Sequence, residues 1–418
     1  MKTSKNSTKS TFSSAKPIRI ISVICVLMMI IFPANGQRLN EAYLQAKADM
    51  FREQYAEAGQ KILSIPAGER TSSMYLTLGE SFYKLGKYSE AARFFAIADS
   101  VRSNPEAVLY AARAFAMTTQ PAKATECLQK YLSQRDKLSE AEITLDPAFE
   151  KIEHSREWKA LWSKEWYNAA ERKAAEAALL FKRKKYMEAL GIIDVEIANR
   201  ASLANFYALR AKVYEAMEQF EPAHESAQTA IRMRNNNPEY LADAANMAVR
   251  VKKYDVALDN INRTIRLDPY QLDLYLQRAA ILRLNQRYDD ARKDINFYFA
   301  CLPADKKALY QMGLAETDAG NPLAGIEYFT MLIDKDISSP EYFMARANAC
   351  FKMNNYAQAY YDLAQALDLN PTLPDAWCKM GIVLQKEDKL DDACYHWKKA
   401  LQLGNREAAE YIYKYCVK

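Results

Sequence analysis

Apolar residues follow a helical spacing in ten successive stretches of the chain. In most stretches an aromatic residue stands three positions before a small residue, and a bulky apolar residue stands four positions after it. Spacings of three and four residues place side chains on one face of an α-helix. Polar segments such as 84–87 and 285–287 interrupt the pattern. The sequence therefore predicts short amphipathic helices that are joined by polar turns.

Pairs of small residues set the period of this pattern. The two members of each pair are twelve positions apart, and successive pairs follow at intervals of 33, 33, 65 and then six times 34 residues. Two helices approach closely only where the facing side chains are small. We therefore expect each repeating unit to be a pair of antiparallel helices in contact at these residues. The pairs that define units 1 to 10 are Ala46 and Ala58, Gly79 and Ala91, Ala112 and Ala124, Ala177 and Ala189, Ala211 and Ala223, Ala245 and Ala257, Ala279 and Ala291, Gly313 and Gly325, Ala347 and Ala359, and Gly381 and Ala393.

Prolines near the ends of the units fit this register. Pro105, Pro238, Pro269, Pro340 and Pro371 each follow Asn, Asp or Ser. That order is typical of a capping side chain with a proline in the first helical turn. We expect a new helix to begin at each of these prolines.

These units resemble tetratricopeptide repeats, which carry small residues at the eighth and twentieth places of a 34-residue unit. Trp377, Gly381, Leu384, Ala393 and Trp397 fit that pattern in unit 10. Pro121 and Pro322 replace the aromatic residue in their units, and Gly325 replaces alanine. The resemblance covers most of residues 38–404. It implies an all-α fold, a solenoid in which about ten helix pairs form a right-handed superhelix with one helical insertion.

The order of these features gives the expected organisation of the chain. Three repeats come first, seven repeats follow an insertion or divergent repeat, and a final helix covers the last apolar face. The expected segments are a signal peptide at 1–36, an N-terminal array at 37–132, the insertion at 133–165, a C-terminal array at 166–405 and a capping helix at 406–418.

The insertion is rich in tryptophan. Asp146 and Pro147 suggest a new helix start, and Trp158, Trp162 and Trp166 follow at a spacing that predicts one helical face. The tryptophans either cover the open end of unit 3, since large apolar side chains are usually buried, or form an exposed patch that docks a partner.

The first 36 residues have the order of a secretory signal peptide. Basic residues without any acid precede an apolar run at 20–32, and small residues follow. We expect cleavage before Gln37 and no lipid anchor. The mature protein is then expected in the periplasm or outside the cell, where a partner could attach it to the outer membrane. Cleavage would lower the number of Lys and Arg residues from 57 to 52, which equals the number of Asp and Glu residues. A neutral mature chain gives no indication of nucleic-acid binding.

No catalytic constellation is visible in the sequence. It has no glycine-rich phosphate loop, and His154, His224 and His396 lie in distant segments, so we expect no enzyme activity, no cofactor and no metal site. Six cysteines follow the signal segment without a CxxC pair. They are either buried thiols or include one disulfide in the cysteine-rich last quarter, which an oxidising compartment would permit.

The leading functional hypothesis is a scaffold or adaptor in the cell envelope that binds a partner protein or peptide. The alternatives are a structural subunit of a secretion or outer-membrane assembly that uses its outer face, and an accessory subunit of an enzyme with a pocket at the insertion. In the family that the chain resembles, the second, fifth, ninth and twelfth places of each unit line the inner face. The resemblance therefore implies these partner-binding residues: Asn205, Lys212, Asn246, Arg283, Tyr310, Met344, Asn348 and Phe351. The family's set of Lys, Asn and Arg for a C-terminal carboxylate is not present at those places.

Overall fold

The computed structural model describes residues 40–135, 137–199 and 204–416. The expected signal peptide and its cleavage site lie outside these residues. The regular elements of the described residues are helices, and no strand occurs among them. The predicted all-α class is thus confirmed, and ten helix pairs occur in the register of the small residues.

The first three units precede a short helical insertion. The units are formed by α1 (Glu41–Phe51) with α2 (Tyr55–Ser64), α3 (Ser72–Lys84) with α4 (Tyr88–Val101), and α5 (Pro105–Met117) with α6 (Pro121–Leu132). The insertion contains α7 (Glu140–Thr144), a 3-10 turn (Pro147–Phe149) and α8 (Arg156–Trp162).

Seven further units and a last helix complete the array. They are formed by α9 (Ala169–Lys182) with α10 (Tyr186–Ala198), α11 (Ala204–Ala216) with α12 (Phe220–Met233), α13 (Pro238–Arg250) with α14 (Tyr254–Leu267), α15 (Leu272–Leu284) with α16 (Tyr288–Cys301), α17 (Lys306–Asp318) with α18 (Pro322–Lys335), α19 (Pro340–Lys352) with α20 (Tyr356–Leu369), and α21 (Pro374–Lys386) with α22 (Leu390–Gln402). The last helix is α23 (Ala408–Tyr415).

The eighth place of each unit faces the residue sixteen positions later on the second helix. Where this partner is aromatic, the eighth place is glycine: a Cβ atom on Gly79 would lie 2.5 Å from the ring of Phe95, and one on Gly381 would lie 2.5 Å from Trp397. Such distances are far below van der Waals contact. Unit 8 follows the same rule with Gly313 and Phe329, whereas alanine stands opposite Ile or Leu in units such as 6 and 7. In nine units the two positions therefore share one volume, whereas unit 5 has alanine at both, Ala211 and Ala227.

The turn between the paired helices has the same backbone conformation in every unit. The residue seven positions after the eighth place has a positive φ in all ten units, although only Gly86 and Gly320 are glycines there. The next amide group donates to a carbonyl five residues back, as Lys87 N does to Phe82 O at 2.9 Å. This bond satisfies a carbonyl at the end of the first helix, and it offsets the cost of a left-handed residue such as Lys184.

The proline expectation was correct in part. Pro105, Pro238 and Pro340 each begin a helix, and the side chains of Asn104 and Asn237 cap the first two. Pro269 and Pro371 instead lie in loops that precede their helices by three residues. There the side chains of the preceding Asp and Asn accept bonds from backbone amides two residues further on, which stabilises a turn in place of a helix start.

Three arginines at the seventh place tie neighbouring second helices together. Arg278 forms two bonds to Asp294, sixteen residues later, and one to Asn262, sixteen residues earlier. Arg346 repeats this arrangement with Asp362 and Thr330. In unit 5, Arg210 contacts Ser226 and Asp194 at the same offsets. We call this arrangement the arginine clamp. It recurs in units 5, 7 and 9, so this part of the array has a structural period of two units.

The insertion packs on unit 3. Phe149, Ile152, Trp158 and Leu161 join a buried cluster with Leu128 and neighbouring residues of α5 and α6. Trp158 is 7% exposed and contacts Phe149 and Trp162. The burial of Trp158 favours the first interpretation of the tryptophans, that they cover the end of unit 3.

The expected single face of three tryptophans is wrong. The helix α8 ends at Trp162, and Trp166 lies beyond it, where its indole N–H donates to the carbonyl of Leu161 at 2.8 Å. Asp146 caps only the 3-10 turn, through a bond from Ala148 N. Its other carboxylate oxygen accepts a bond from Arg113 of α5 at 2.7 Å, which holds the turn against unit 3.

The last helix covers the end of unit 10. Tyr411 and Tyr415 of α23 stack on the buried Trp397 at centroid distances of 5.1 and 5.7 Å. A disulfide joins Cys394 of α22 to Cys416 at the end of α23. Of the two interpretations of the cysteines, the structure thus supports the disulfide in the last quarter, while the other four cysteines are free.

The first helix also contacts units 6 to 8, more than 200 residues away in sequence. Leu44 and Ala48 of α1 join the apolar cluster that contains Leu272 and Leu302. The ring of Tyr43 lies 4.5 Å from that of Tyr270, and Arg52 donates to the carbonyl oxygen of Cys301 at 2.6 Å. This contact buries apolar surface of α1 against units that are distant in the sequence. Below we call it the closure contact.

The contact at the eighth place predicts that the effect of Gly79→Ala on the free energy of unfolding depends on the side chain at position 95. In the wild type, Gly79→Ala should destabilise the protein by about 1 to 3 kcal/mol, because the added methyl group overlaps the ring of Phe95. In a Phe95→Leu background the same change should be neutral or stabilising by up to about 1 kcal/mol, because alanine favours a helix over glycine. Thermal melts measure both differences. Gly68→Ala, where a Cβ atom meets nothing within 4 Å, is the control. Equal effects of Gly79→Ala in both backgrounds would contradict the shared-volume interpretation.

The arginine clamp predicts that removal of the arginine's partner lowers stability more in unit 9 than in unit 5. Asp362 is 0% exposed, so Asp362→Ala leaves Arg346 without its carboxylate and should cost about 3 to 5 kcal/mol. Ser226→Ala removes a neutral partner of Arg210 and should cost about 1 kcal/mol. Comparison of the two melting temperatures with that of the wild type tests the difference. Similar losses of stability would mean that the ion pair contributes no more than the neutral bond.

The closure contact predicts a local change in hydrogen exchange. Leu44→Asp places a charge in an apolar contact, which is strongly unfavourable, so α1 should separate from unit 7. Amides in 268–276 and 298–307 should then exchange faster, as measured by mass spectrometry. Gln45→Asp on the same helix is the control, because Gln45 is half-buried and lies outside the cluster. Unchanged protection of both segments in Leu44→Asp would show that the contact does not persist in solution.

Candidate functional site

The first helices of the units form the inner face of the array. Among the described residues, the first helices of neighbouring units approach one another, as α11 does α13 and α15 does α17, while the second helices stay further apart. The side of the stack on which elements converge is its concave side. The inner face is therefore built from α9, α11, α13, α15, α17, α19 and their equivalents in the other units.

Polar contacts connect adjacent first helices across this face. Lys212 pairs with Glu239 at 2.9 Å and with Asp243 at 3.1 Å. Gln277 donates to the side-chain oxygen of Asn246 at 2.6 Å. Further along, Arg283 and Lys352 both pair with Asp318. Lys212, Asn246 and Arg283, three of the expected partner-binding residues, thus bond to neighbouring units within the protein.

The expected apolar contact residues are partly buried by their own neighbours. Tyr310 lies 5.9 Å from Phe329 and 5.8 Å from Tyr342, measured between ring centroids. Phe351 lies 5.5 Å from Tyr356, and Met344 packs against the core of units 9 and 10. Each side chain remains half-buried, so these residues stabilise the units and offer only part of their surface.

Asn205 and Asn348 differ from the other six. Neither side chain has a hydrogen-bond partner within the described part of the chain, although both lie on first helices. Asn205 is exposed, and Asn348 is half-buried. Amide groups of this kind can donate to and accept from a peptide backbone. The structure does not bring them together, since they belong to units 5 and 9.

A cleft of about 400 Å³ lies between the insertion and the first helices of units 4 to 6. Asn205 is the only expected partner-binding residue among those that line it. One wall is the segment around Leu138 that leads into the insertion, and the floor includes Ala174, Ala175 and Ala178 of α9. We call this space the insertion cleft.

Hydrogen bonds hold the wall of the insertion cleft in place. The amide N–H of Leu138 donates to the hydroxyl oxygen of Tyr131 at 2.9 Å, and the hydroxyl of Tyr167 donates to the carbonyl of Leu138 at 2.7 Å. Lys137 pairs with Glu171 at 3.0 Å and lies over the ring of Tyr167. Burial raises the pKa of Tyr167, so its hydroxyl remains a donor at neutral pH. The wall is therefore formed before any partner binds.

A signal for the cleft is present in the sequence of unit 4. Alanine stands at its fifth, sixth and ninth places, Ala174, Ala175 and Ala178, and all three line the cleft. In units 8 and 9 the fifth place holds Tyr310 and Met344. Three small residues on one helix leave space, but only the fold of the insertion shows that this space has a second wall.

Units 1 to 3 contribute a carboxyl group with an altered pKa. Glu80 occupies the ninth place of unit 2, and burial raises its pKa to about 7. Glu106 adds to this rise through charge repulsion, while Lys47 and Lys84 oppose it. The charge of this part of the inner face therefore depends on pH in the range around neutrality.

The described residues contain no group that indicates catalysis. No set of three or more His, Cys, Asp or Glu side chains is arranged to hold a metal ion there. Burial raises the pKa of Cys301 to about 12 and that of Cys350 to about 11, so these thiols are poor nucleophiles. A hollow of about 260 Å³ borders Trp162 and Trp166, and one of its two acids, Glu165, pairs with Arg172 at 2.7 Å.

No helix in the described ranges has the length and apolar character needed to span a membrane.

Comparisons with known proteins agree with the repeat architecture. A family model described as "TPR repeat" matches residues 347–388, which include parts of units 9 and 10. A crystal structure of a tetratricopeptide repeat protein from Parabacteroides merdae superimposes with a TM-score of 0.53 at 18% identity, covering 58% of this chain and 97% of that one. This likeness concerns the fold. The match to the family model shows the same repeat in the sequence.

Curated relatives carry the same repeat over longer stretches. Human tetratricopeptide repeat protein 16 is 23% identical over 270 residues, which is 57% of this chain and 31% of that protein. A TPR repeat-containing protein of Methanocaldococcus jannaschii is 24% identical over 242 residues, 54% of this chain and 41% of that protein. The matches thus cover less than half the length of these relatives. They indicate no catalytic family, and together with the ten helix pairs they support repeats of the tetratricopeptide type in this chain.

Proposed function

We propose that the protein is a non-catalytic scaffold of the cell envelope that binds a partner protein or peptide on its inner face. The observation that carries this proposal is the face formed by the first helices, on which Asn205 and Asn348 have polar groups without partners in the described structure. Polar contacts between other residues of this face restrict their side chains, which lowers the entropy that binding has to overcome.

Two features support a location outside the cytoplasm. The first 36 residues have the basic, apolar and small-residue order of a signal peptide. The disulfide between Cys394 and Cys416 belongs to an oxidising compartment, because cytosolic thiols are kept reduced. The partner would accordingly be another envelope protein.

A second candidate function uses the outer face. Tyr361 and Tyr395 occupy the same place in units 9 and 10 and are 55% and 63% exposed, and Met187 of unit 4 is 71% exposed. Exposed large apolar side chains at equivalent places can contact a neighbouring subunit. This arrangement would suit a structural subunit of an envelope assembly.

A pair of triple variants separates the two functions. The inner-face variant carries Asn205→Arg, Asn246→Arg and Asn348→Arg, and the outer-face variant carries Met187→Arg, Tyr361→Arg and Tyr395→Arg. We expect the inner-face variant to lose its partners in cross-linking and mass spectrometry of the native envelope fraction, because three long charged side chains obstruct the face. The outer-face variant should retain them.

Both variants must first give the circular dichroism spectrum and melting profile of the wild type. Loss of partners only in the outer-face variant would replace the proposed function with the structural one. Retention of every partner by the inner-face variant would contradict binding at the concave face.

A further inference from the structure

We infer that the insertion cleft binds an extended internal segment of a partner protein, with a bulky apolar side chain on the alanine floor and an acidic side chain beside Arg135. This inference rests on the proposed function and assigns one site and one class of ligand to it. The site depends on the insertion, which interrupts the 34-residue period.

The floor of the cleft is suited to a large apolar side chain. Ala174, Ala175 and Ala178 are half-buried and present only methyl groups, and Leu209 lies beside them on α11. The volume of about 400 Å³ falls within the range of roughly 300 to 1,000 Å³ that is typical of ligand pockets. A bulky side chain can therefore occupy the floor without displacing any large residue of the protein.

The charges that line the cleft leave one cation available. Each lining carboxylate already has a lysine partner: Glu171 pairs with Lys137, Glu142 with Lys182 and Glu239 with Lys212. Arg135 lines the cleft, is exposed, and forms no ion pair or hydrogen bond with other described residues. A ligand with an anionic group beside Arg135 is therefore favoured.

The position of Arg135 favours an acidic side chain of the partner over its C-terminal carboxylate. Arg135 lies at the exposed rim, where a bound chain can continue past it. Asn205 lines the same cleft and offers an amide donor and acceptor to a peptide backbone, as its side chain makes no bond to the described residues. An extended segment would satisfy both contacts at once.

The wall of the insertion cleft around Leu138 is held rigidly. Tyr131 and Tyr167 fix Leu138 through two hydrogen bonds, and the Lys137–Glu171 pair closes one side. A binding site that is already ordered loses less conformational entropy when a ligand binds. The insertion therefore serves as a fixed second wall for units 4 to 6.

Selection from a library of random linear heptapeptides, displayed internally on phage, tests the site on the full mature protein. The wild type should enrich sequences that combine an acidic residue with a bulky apolar residue. Ala178→Trp fills the floor and should lower the recovery of those sequences by at least about tenfold, equivalent to about 1.4 kcal/mol. Arg135→Glu should shift the enrichment from acidic to basic residues.

Matched controls exclude general effects of these substitutions. Ala169→Trp adds the same side chain to the exposed start of α9 outside the cleft, and Arg156→Glu reverses a charge on the exposed start of α8. Both should retain wild-type enrichment. The inference is overturned if Ala178→Trp and Ala169→Trp recover the same sequences equally, if Arg135→Glu leaves the acidic preference unchanged, or if the wild type enriches none.

Failure of the cleft as a binding site can be distinguished from failure of the proposed function. Enriched peptides that remain bound to Ala178→Trp but are lost from a double variant with Asn246→Arg and Asn348→Arg, which leaves Asn205 unchanged, would overturn the cleft as their site. The same result would support binding elsewhere on the inner face.

Discussion

The array depends on the contact between the eighth place of each unit and the residue sixteen positions later. This contact sets the distance between the paired helices. In nine units its two side chains share one volume, since Gly79 accompanies Phe95, Gly381 accompanies Trp397, and alanine accompanies Ile or Leu, while unit 5 has alanine at both places. A common distance in all units allows the same left-handed turn residue to recur ten times, even where it is lysine or glutamate. The preference for glycine at that turn residue is outweighed, because the packing of the two helices holds the turn in place.

A solenoid must also protect its ends, and this chain does so in three ways. Tyr411 and Tyr415 stack on Trp397 at the C-terminal end, and a disulfide retains their helix. The insertion covers unit 3 where the 34-residue period is interrupted. At the N-terminal end the closure contact places α1 on units 6 to 8. Each solution buries an apolar stripe that neighbours cover elsewhere in the array, since an exposed stripe of this size would favour association.

The sequence was sufficient for the features that are local and periodic. The all-α class, the ten helix pairs and their register follow from residues twelve and thirty-four positions apart. Features that join distant residues were not predictable in this way. Nothing near Tyr43 indicates contact with Tyr270, and the period of two units is hidden because Arg278 and Asp294 look like ordinary helix-surface charges. Trp166 was placed on a helix by its spacing alone, but that helix ends four residues earlier. The eight expected partner-binding residues remain predictions, and the structure shows that Lys212, Asn246 and Arg283 bond within the protein.

This internal bonding bears on how such a scaffold could be selective. Several polar residues of the inner face, such as Lys212 and Asn246, already bond within the protein, so a partner gains little from them unless it replaces those bonds. The insertion cleft is different, because its carboxylates are paired while Arg135 and Asn205 make no bond with other described residues, and its floor consists of small side chains. A partner that fills the floor and pairs with Arg135 gains contacts without breaking any. The repeats provide a rigid frame, and the departure from the repeat pattern provides the place where one partner can be preferred over another.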